Sequence, residues 1–294
     1  MMPPQMARPR SPRDIPFSSF SFRRTGGAAR ARNIGARASK GEILFFLDSD
    51  VLLPKDAILT IERAFEEDEG LAGFNGIYAG ETPAPGFLSR MKNLYLHYLC
   101  LKQREEYSAF WSAIMIIRRD IFFALGGFDE DFKTTLEDVE FGMRLSKRGV
   151  RFKVNPGLVG THLKRFGLWS LLRTDYQRAH TLAKLFMERD QEETALYRRA
   201  IGGKGFLGAS APGLIPLGLI LTPFQPWGLA LSALGLILYI YSRYEMLCFF
   251  FRRGFTFGLG SFGVLLLELL VAQMAGLRAS IGRLSFVVRP RRVS

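Results

Sequence analysis

The sequence predicts an α/β domain with a mostly parallel sheet, followed by an apolar helical region. Between residues 28 and 154, short apolar runs typical of buried strands alternate with segments of helical periodicity, which is the pattern of a sheet covered by helices. Beyond about residue 205 the chain becomes strongly apolar, as membrane segments are. We therefore predict a folded domain at residues 29–200 and transmembrane helices within residues 205–277.

The apolar run Ile43–Leu47, between Gly41 and Pro54, predicts the buried strand around which the domain is organised. Helical patterns predict helices at 28–39, 57–67, 88–103 and 135–148, and a short helix before Gly126-Gly127. Apolar runs predict further strands at 71–79, 111–117 and 151–154. The last of these strands is expected to end at Asn155-Pro156-Gly157, because these residues favour turns.

The net charge of +13 resides at the two ends of the chain. Nine basic residues and one acidic residue in 1–40, with five arginines in 278–294, account for all of it. Basic ends around an apolar half favour anionic lipid headgroups over a nucleic-acid-binding face. Residues 1–28, rich in Pro, Arg and Ser, are predicted to be a disordered basic segment without the apolar core of a secretory signal.

The apolar half predicts membrane helices at about 205–222, 227–242 and 255–277, followed by a basic tail at 278–294. The first two are marginal, because a helix of about 17 residues spans about 25 Å. A buried helical hairpin in a soluble core is the alternative. By the positive-inside rule, the uncharged turn 223–226 lies outside, and Arg243, Arg252 and Arg253 lie inside. We expect 255–277 to span fully; a re-entrant segment bent at its glycines is the alternative.

The first candidate site is where the organising strand ends, at Asp48-Ser49-Asp50. In an open α/β sheet, ligands bind beyond the carboxyl ends of the strands. Carboxylates held there can bind a hard divalent cation, which in turn can hold a diphosphate. An acidic turn after a core strand is the alternative, because so short a motif recurs by chance.

Two more motifs lie where strands and loops meet. Glu137-Asp138 opens a helix, and its carboxylates can face the same edge of the sheet as Asp48 and Asp50. The alternative is a helix cap, since Thr134 or Thr135 can cap this helix and Thr135-x-x-Asp138 forms a capping box. His162 follows a strand and a turn, where it is either a third metal ligand or a structural histidine.

Together these residues resemble the inverting glycosyltransferases of family 2, which have the GT-A (Rossmann-like) fold. The resemblance covers about residues 29–180. In order, it comprises Ala31-Arg32-Asn33-Ile34-Gly35, Gly41-Glu42, Asp48-Ser49-Asp50, Gly126-Gly127-Phe128-Asp129, Glu137-Asp138, Arg144-Leu145 and His162. Each piece is weak alone, whereas their order and spacing are specific. The resemblance implies a membrane-anchored, metal-dependent hexosyltransferase that moves a single sugar from a nucleotide-sugar to an acceptor hydroxyl, with inversion.

The resemblance also implies roles for individual residues. Asp50, assisted by Asp48, would hold Mg²⁺ or Mn²⁺ on the donor diphosphate, and His162 would contact the metal or the diphosphate. Asp138 would be the general base for the acceptor hydroxyl, with Glu137 positioning it. The other donor-binding residues would be Arg32, Lys164 and Arg165, together with Asp48.

The implied partners are a nucleotide-sugar donor, in the first place a UDP-sugar, and a lipid-linked or saccharide acceptor. Membrane lipids would surround the apolar helices, and no nucleic acid is involved. The expected location is the inner (cell) membrane with the catalytic domain in the cytoplasm. The expected process is the biosynthesis of a cell envelope polysaccharide or a glycolipid.

Two departures from the family pattern qualify these expectations. Nothing in residues 1–28 resembles the strand that holds the nucleotide base, so the GT-A-type sheet is expected to be N-terminally incomplete and donor binding weak. The Q-x-x-R-W signature of processive synthases is missing, and residues 173–178 stand in its place, which favours transfer of one sugar. The alternative function is an inactive, truncated glycosyltransferase-like membrane protein that acts as a partner or scaffold.

Overall fold

The computed structural model describes residues 26–102, 111–132, 136–188, 205 and 207–287, with side-chain surroundings up to residue 281. Most of the predicted disordered segment and the end of the predicted basic tail lie outside the described residues, as do Thr134 and Thr135. The first helix already begins at Gly27, and the last helix continues to Val287. Regular structure therefore extends into both of the predicted tails.

The α/β domain contains five strands and six helices among the described residues. The strands are β1 (Ile43–Leu47), β2 (Val51–Leu52), β3 (Gly73–Tyr78), β4 (Ile114–Arg118) and β5 (Phe152–His162). The helices are α1 (Gly27–Ala38), α2 (Ala57–Glu67), α3 (Phe87–Leu101), α4 (Arg119–Ala124), α5 (Glu137–Lys147) and α6 (Leu168–Glu188). The predicted alternation of strands and helices is confirmed.

The five strands form one sheet in the order β1-β4-β3-β5-β2. Strands β3 and β5 pair in parallel, whereas β4 is antiparallel to both β1 and β3, and β2 is antiparallel to β5. Strands β1, β3 and β5 thus share one direction, and β4 and β2 run against it. The prediction of a mostly parallel sheet is only partly confirmed, because periodicity reports burial and not strand direction.

Strand β5 does not end at Asn155-Pro156-Gly157, as the turn residues predicted, but continues through them to His162. Its pairing with β3 shifts here: Asn75 lies opposite Val154, and Ile77 lies opposite Val159. The turn-forming residues therefore form an irregularity within the strand, where a proline without an N–H group is tolerated. This continuation brings His162 to the edge of the sheet that carries the end of β1.

The two faces of the sheet bury separate apolar clusters, because successive strand residues point in opposite directions. On β4, Ile114 and Ile116 join the cluster under α2, whereas Met115 and Ile117 join the cluster under α1, α4 and α5. The second cluster is rich in phenylalanine rings that lie 5.2–5.3 Å apart, namely Phe46, Phe122, Phe128 and Phe141. These aromatic contacts hold α4 and α5 against the sheet.

Within the described part of the chain, three apolar helices follow the domain: α7 (Leu214–Leu221), α8 (Gly228–Phe251) and α9 (Phe255–Val287). Two segments of these residues, Gly228–Phe251 and Phe255–Ile281, are long and apolar enough to cross a membrane, and the apolar helix Leu207–Leu221 is shorter. Helix α8 is longer than predicted. Helix α9 is continuous through Gly258, Gly260 and Gly263.

The apolar helices pack directly on the α/β domain through α3. Met91 and Leu94 of α3 share an apolar cluster with Met246 and Phe250 of α8. Lys92, on the same helix, forms ion pairs of 3.1 Å with Asp175 of α6 and with Glu268 of α9. The one charged residue of the predicted span 255–277 is therefore buried against a cation of the domain.

Candidate active site

Asp48 and Asp50 lie in a tight turn between β1 and β2. The Asp48 amide donates a hydrogen bond of 3.1 Å to the Ala113 carbonyl, and the Val51 amide donates one of 3.1 Å to the Asp48 carbonyl. Each of the two carboxylate side chains is 37% exposed. The turn thus fixes the backbone while both carboxylates stay accessible to a ligand.

His162 ends β5 beside Asp50. The pairing of β2 with β5 places Val51 opposite His162, and the Leu163 amide donates a hydrogen bond of 2.8 Å to the Asp50 carbonyl. The distance from Asp50 Oδ2 to His162 Nε2 is 3.7 Å, which is too long for a hydrogen bond. The buried imidazole packs on the Tyr78 ring, with 4.8 Å between the ring centroids.

Burial lowers the pKa of His162, while Asp50 acts in the opposite direction. The imidazole is therefore neutral near pH 7 and one ring nitrogen keeps a lone pair. Such a nitrogen beside a carboxylate can bind a metal ion, as the sequence predicted for this residue.

Arg32 connects the two acidic motifs. Its Nη2 donates a hydrogen bond of 2.8 Å to Asp48 Oδ1, and its Nη1 donates to Glu137 Oε1. The guanidinium also lies 5.8 Å from the centre of the Phe128 ring. The sequence predicted Arg32 as a nucleotide contact; in the structure it joins Asp48 to Glu137. The planar guanidinium fork allows one side chain to hold both carboxylates.

Asp138 is held at the start of β4. Its Oδ2 accepts hydrogen bonds from the Ser112 amide at 3.0 Å and from Ser112 Oγ at 3.3 Å. Its Oδ1 accepts one of 2.9 Å from the Val139 amide. Ser112 and Ala113 are neighbours in the chain, so adjacent residues bind Asp138 and the Asp48 backbone. The two acidic motifs consequently meet at one edge of the sheet.

The helix that carries these acids starts differently from the predicted capping box. Its N-cap is Leu136, which makes no side-chain capping bond and has a φ of 75°. This left-handed conformation is strained for a leucine. Asp138 binds Ser112 across the sheet edge, in addition to the neighbouring amide of its own helix. Glu137 is buried, and its pKa is raised by burial and by Asp138.

Other residues of the family-like motifs build the scaffold of the site. Asn33 Nδ2 donates to the Phe128 carbonyl at 2.8 Å, and Asn33 Oδ1 accepts from the Phe128 amide at 2.9 Å. Gly127 has a φ of 73°, and a Cβ atom there would lie 2.8 Å from Asn33 Oδ1. Arg144 pairs with Glu140 at 2.7 Å and donates to the Gly127 carbonyl at 2.7 Å. This turn positions α5, and with it Asp138.

The remaining predicted residues, Lys164 and Arg165, lie just after β5 and are exposed. Lys164 Nζ lies 5.5 Å from the centre of the Phe166 ring. Sequence reasoning missed two residues, Ser112 as the partner of Asp138 and Tyr78 as the ring that packs on His162. A polar residue within the apolar run 111–117 was the available signal for Ser112.

A divalent cation fits the donor atoms that the turn and β5 bring together. The described part of the chain contains no ready-made group of three His, Cys, Asp or Glu side chains for a metal ion. Even so, the 3.7 Å between Asp50 Oδ2 and His162 Nε2 is within reach of two ligands about 2.1 Å from one ion. Asp48 has one oxygen bound to Arg32, which leaves its other oxygen for a ligand.

Comparison with protein families assigns the chain. The model of glycosyl transferase family group 2 matches residues 43–251, which is well over half of the chain and includes Asp48, Asp50, Asp138 and His162. The chain therefore belongs to glycosyl transferase family group 2.

The chain is also similar to two individual proteins. The O-antigen biosynthesis protein RfbC of Myxococcus xanthus is 30% identical over 135 residues, which cover 40% of this chain and 11% of RfbC. The chain thus spans about a tenth of RfbC. The mannosyltransferase PcManGT from Pyrobaculum calidifontis, solved with GDP-Man and Mn²⁺, is 18% identical and aligns with a TM-score of 0.54. That alignment covers 85% of this chain and 66% of PcManGT, and it shows a shared GT-A-type fold.

Proposed function

We propose that this protein transfers a single hexosyl unit from a nucleotide-sugar to an acceptor hydroxyl, with inversion at the anomeric carbon. The observation that carries the proposal is the meeting of two acidic motifs at residues 112–113. Ser112 holds the carboxylate of Asp138, and Ala113 holds the turn that presents Asp48 and Asp50. A direct displacement requires a base on one side of the reacting carbon and donor-binding groups on the other side.

In the proposed reaction, Asp138 takes the proton of the acceptor hydroxyl. The hydroxyl oxygen attacks the anomeric carbon, the bond from that carbon to the diphosphate oxygen breaks, and the nucleoside diphosphate leaves with the electron pair. Because there is one displacement, the configuration at the carbon inverts. The bonds from Ser112 to Oδ2 hold the carboxylate in a single orientation for the proton transfer.

We further propose that Asp50 and His162, with the second oxygen of Asp48, hold Mg²⁺ or Mn²⁺. When bound, the ion would neutralise charge on the diphosphate leaving group. The Mn²⁺ in the PcManGT complex supports this assignment, as does the neutral imidazole of His162. Lys164 and Arg165 would add positive charge near the same diphosphate.

A nucleotide-sugar donor, in the first place a UDP-sugar, and an acceptor of the cell envelope complete the proposal. The GDP-Man in PcManGT supports the donor class, and the name of RfbC supports an envelope saccharide or a lipid-linked acceptor. The bound GDP-Man and the O-antigen role belong to the two similar proteins. The donor base and the acceptor of this protein are therefore to be identified by experiments on the protein itself.

We also propose that the apolar helices anchor the enzyme in the inner membrane. Large apolar side chains on α8 and α9 are exposed, among them Leu229, Ile237, Leu259 and Met274. In the most apolar 18-residue stretch of each helix, only 28% of the residues are buried in α8 and 22% in α9. A helical hairpin in a soluble core would be covered, so this exposure supports contact with lipid. Arg253 lies 3.5 Å from Glu81 of the α/β domain, which supports a cytoplasmic domain.

Replacing Asp138 tests the proposed function. We expect Asp138→Asn to reduce transfer by about 10²–10⁴-fold, because the amide cannot accept the acceptor proton. Metal-dependent nucleotide binding should stay near that of the wild type. The measurement is sugar transfer and sugar-nucleotide hydrolysis with UDP-, GDP- and TDP-sugars, using detergent-solubilised protein.

Asp120→Asn is the matched control. Asp120 lies in the first turn of α4 and accepts from the Ile121 amide at 2.8 Å, much as Asp138 accepts from the amide that follows it. The control should keep full activity. Transfer by Asp138→Asn within about threefold of the wild type would refute the base assignment. A wild type that binds nucleotide but transfers nothing would favour the inactive-partner function.

A further inference from the structure

A cavity of about 290 Å³ lies where α3, α6, α8 and α9 meet. Its wall is mostly apolar and includes Leu96, Leu182, Met246 and Leu265. Leu136, which directly precedes Glu137-Asp138, also lines it. The cavity therefore begins at the segment that carries the proposed base and extends between the apolar helices.

The charges in the cavity wall are unevenly matched. Lys92 is paired with Asp175 and with Glu268, each at 3.1 Å, so one cation serves both carboxylates. Arg178 and Arg243 also line the cavity. The Nε of Arg243 is buried, and among the described residues it has no hydrogen-bond partner. A buried guanidinium nitrogen without an acceptor is costly, and an anionic ligand would supply the acceptor.

We propose that this cavity binds the phosphate group and the adjoining apolar chain of a lipid-linked acceptor. The inference rests on the proposed glycosyl transfer and names its acceptor class. Arg178 and Arg243 would bind the phosphate, the apolar wall would take the first part of the chain, and the acceptor hydroxyl would lie toward Asp138. A free phosphate would leave the apolar wall unused, and a neutral lipid would leave the Nε of Arg243 without an acceptor.

Binding of an isoprenoid phosphate, measured without any transfer, tests the proposal. The full-length protein in phosphatidylcholine nanodiscs is equilibrated with labelled farnesyl phosphate, and empty nanodiscs correct for partitioning into lipid. We expect Arg178→Gln and Arg243→Gln each to weaken specific binding by about tenfold, because each removes a hydrogen bond from a charged donor. Excess farnesol lacks the phosphate group, and inorganic phosphate lacks the apolar chain. Each should therefore displace the labelled farnesyl phosphate poorly.

Two further variants give the test its controls. Arg252→Gln removes the same charge from the end of α8 outside the cavity and should leave binding within about twofold of the wild type. Ala272→Phe keeps both arginines but places a larger side chain in the cavity that Ala272 lines, and it should abolish binding. Mn²⁺-dependent nucleotide binding, measured on the same samples, should be unchanged in all four variants, which shows that they are folded.

The outcomes separate the two proposals. If Arg178→Gln and Arg243→Gln bind farnesyl phosphate as the wild type does, or if Arg252→Gln weakens binding equally, the cavity is not the acceptor site. Displacement by inorganic phosphate alone would also overturn it, as would displacement by farnesol alone. If the wild type binds farnesyl phosphate through the arginines but binds no nucleotide with Mn²⁺, the proposed transferase function fails instead.

Discussion

Arg32 shows at the residue scale how separate motifs become one site. Asp48 and Glu137 are 89 positions apart in the sequence, and both bind the guanidinium of this residue. Burial opposes a charged Arg32, but the two carboxylates more than offset it and raise its pKa. The arginine therefore stays charged and keeps the acids in place.

The proposed role of Asp50 as a metal ligand leads to a prediction about metal dependence. Asp50→Ala removes the carboxylate beside His162, so we expect donor affinity and its response to Mn²⁺ to be lost together. Calorimetry with nucleotide, with and without Mn²⁺, measures both quantities. Asp56→Ala is the control, because Asp56 precedes α2 without a side-chain capping bond. An unchanged Mn²⁺ response in Asp50→Ala would eliminate Asp50 as a ligand.

At the scale of elements, α3 is the helix that joins the α/β domain to the apolar helices. One of its faces supplies Met91 and Leu94 to the apolar cluster shared with α8 and α9. Lys92 lies on this helix and Lys102 directly follows it, and the two lysines have very different partners. Lys92 and Glu268 are 5% and 8% exposed, whereas Lys102 and Glu245 form a 2.6 Å pair that is 55% and 63% exposed.

These two ion pairs make a matched test of what holds the helices to the domain. Lys92→Met leaves Asp175 and Glu268 buried without their cation, and we expect it to destabilise the protein by about 3–5 kcal/mol. Lys102→Met removes an exposed pair and should cost about 0–1 kcal/mol. Denaturant unfolding in detergent, followed by tryptophan fluorescence, compares them. Equal effects would mean that the buried pair does not stabilise the junction between α3, α6 and α9.

At the scale of the whole molecule, one side of the apolar helices lies on the domain and the other is exposed. The turn 223–226 is at the far end of α7 and α8, whereas Arg253 is beside Glu81 of the domain. This arrangement places the positive charge on the side of the domain, as the positive-inside rule favours for a cytoplasmic domain.

Cysteine labelling in intact cells tests this orientation. In a Cys248→Ala background, we expect Gln225→Cys to react with a membrane-impermeant maleimide, because the turn is outside. Glu66→Cys, on the exposed face of α2, should react only after permeabilisation. Cys100 is buried and needs no replacement. Labelling of Glu66→Cys in intact cells would reverse the proposed topology.

How much of the fold the sequence predicted varies from element to element. The bounds of β1 and α2 agree with the prediction, because both have clear apolar periodicity between strong turn residues. Strand β5 does not, because its turn-forming residues 155–157 are accommodated by a shift of pairing with β3. The sequence also did not predict strand direction correctly, because a buried strand has the same apolar pattern whether its neighbour is parallel or antiparallel.

The sequence by itself determined the class of this protein and the order of its elements, and it predicted the acids of the proposed site. These features can be recognised from local sequence patterns, because apolar periodicity predicts burial and particular residue types predict turns. Only the tertiary structure decided that Arg32 binds Asp48 and Glu137, that Ser112 holds Asp138, and that Lys92 neutralises Glu268. Each of these contacts joins side chains far apart in the sequence, which only the folded chain brings together. Because burying an unpaired charge is costly, the folded structure gives each buried charge a partner.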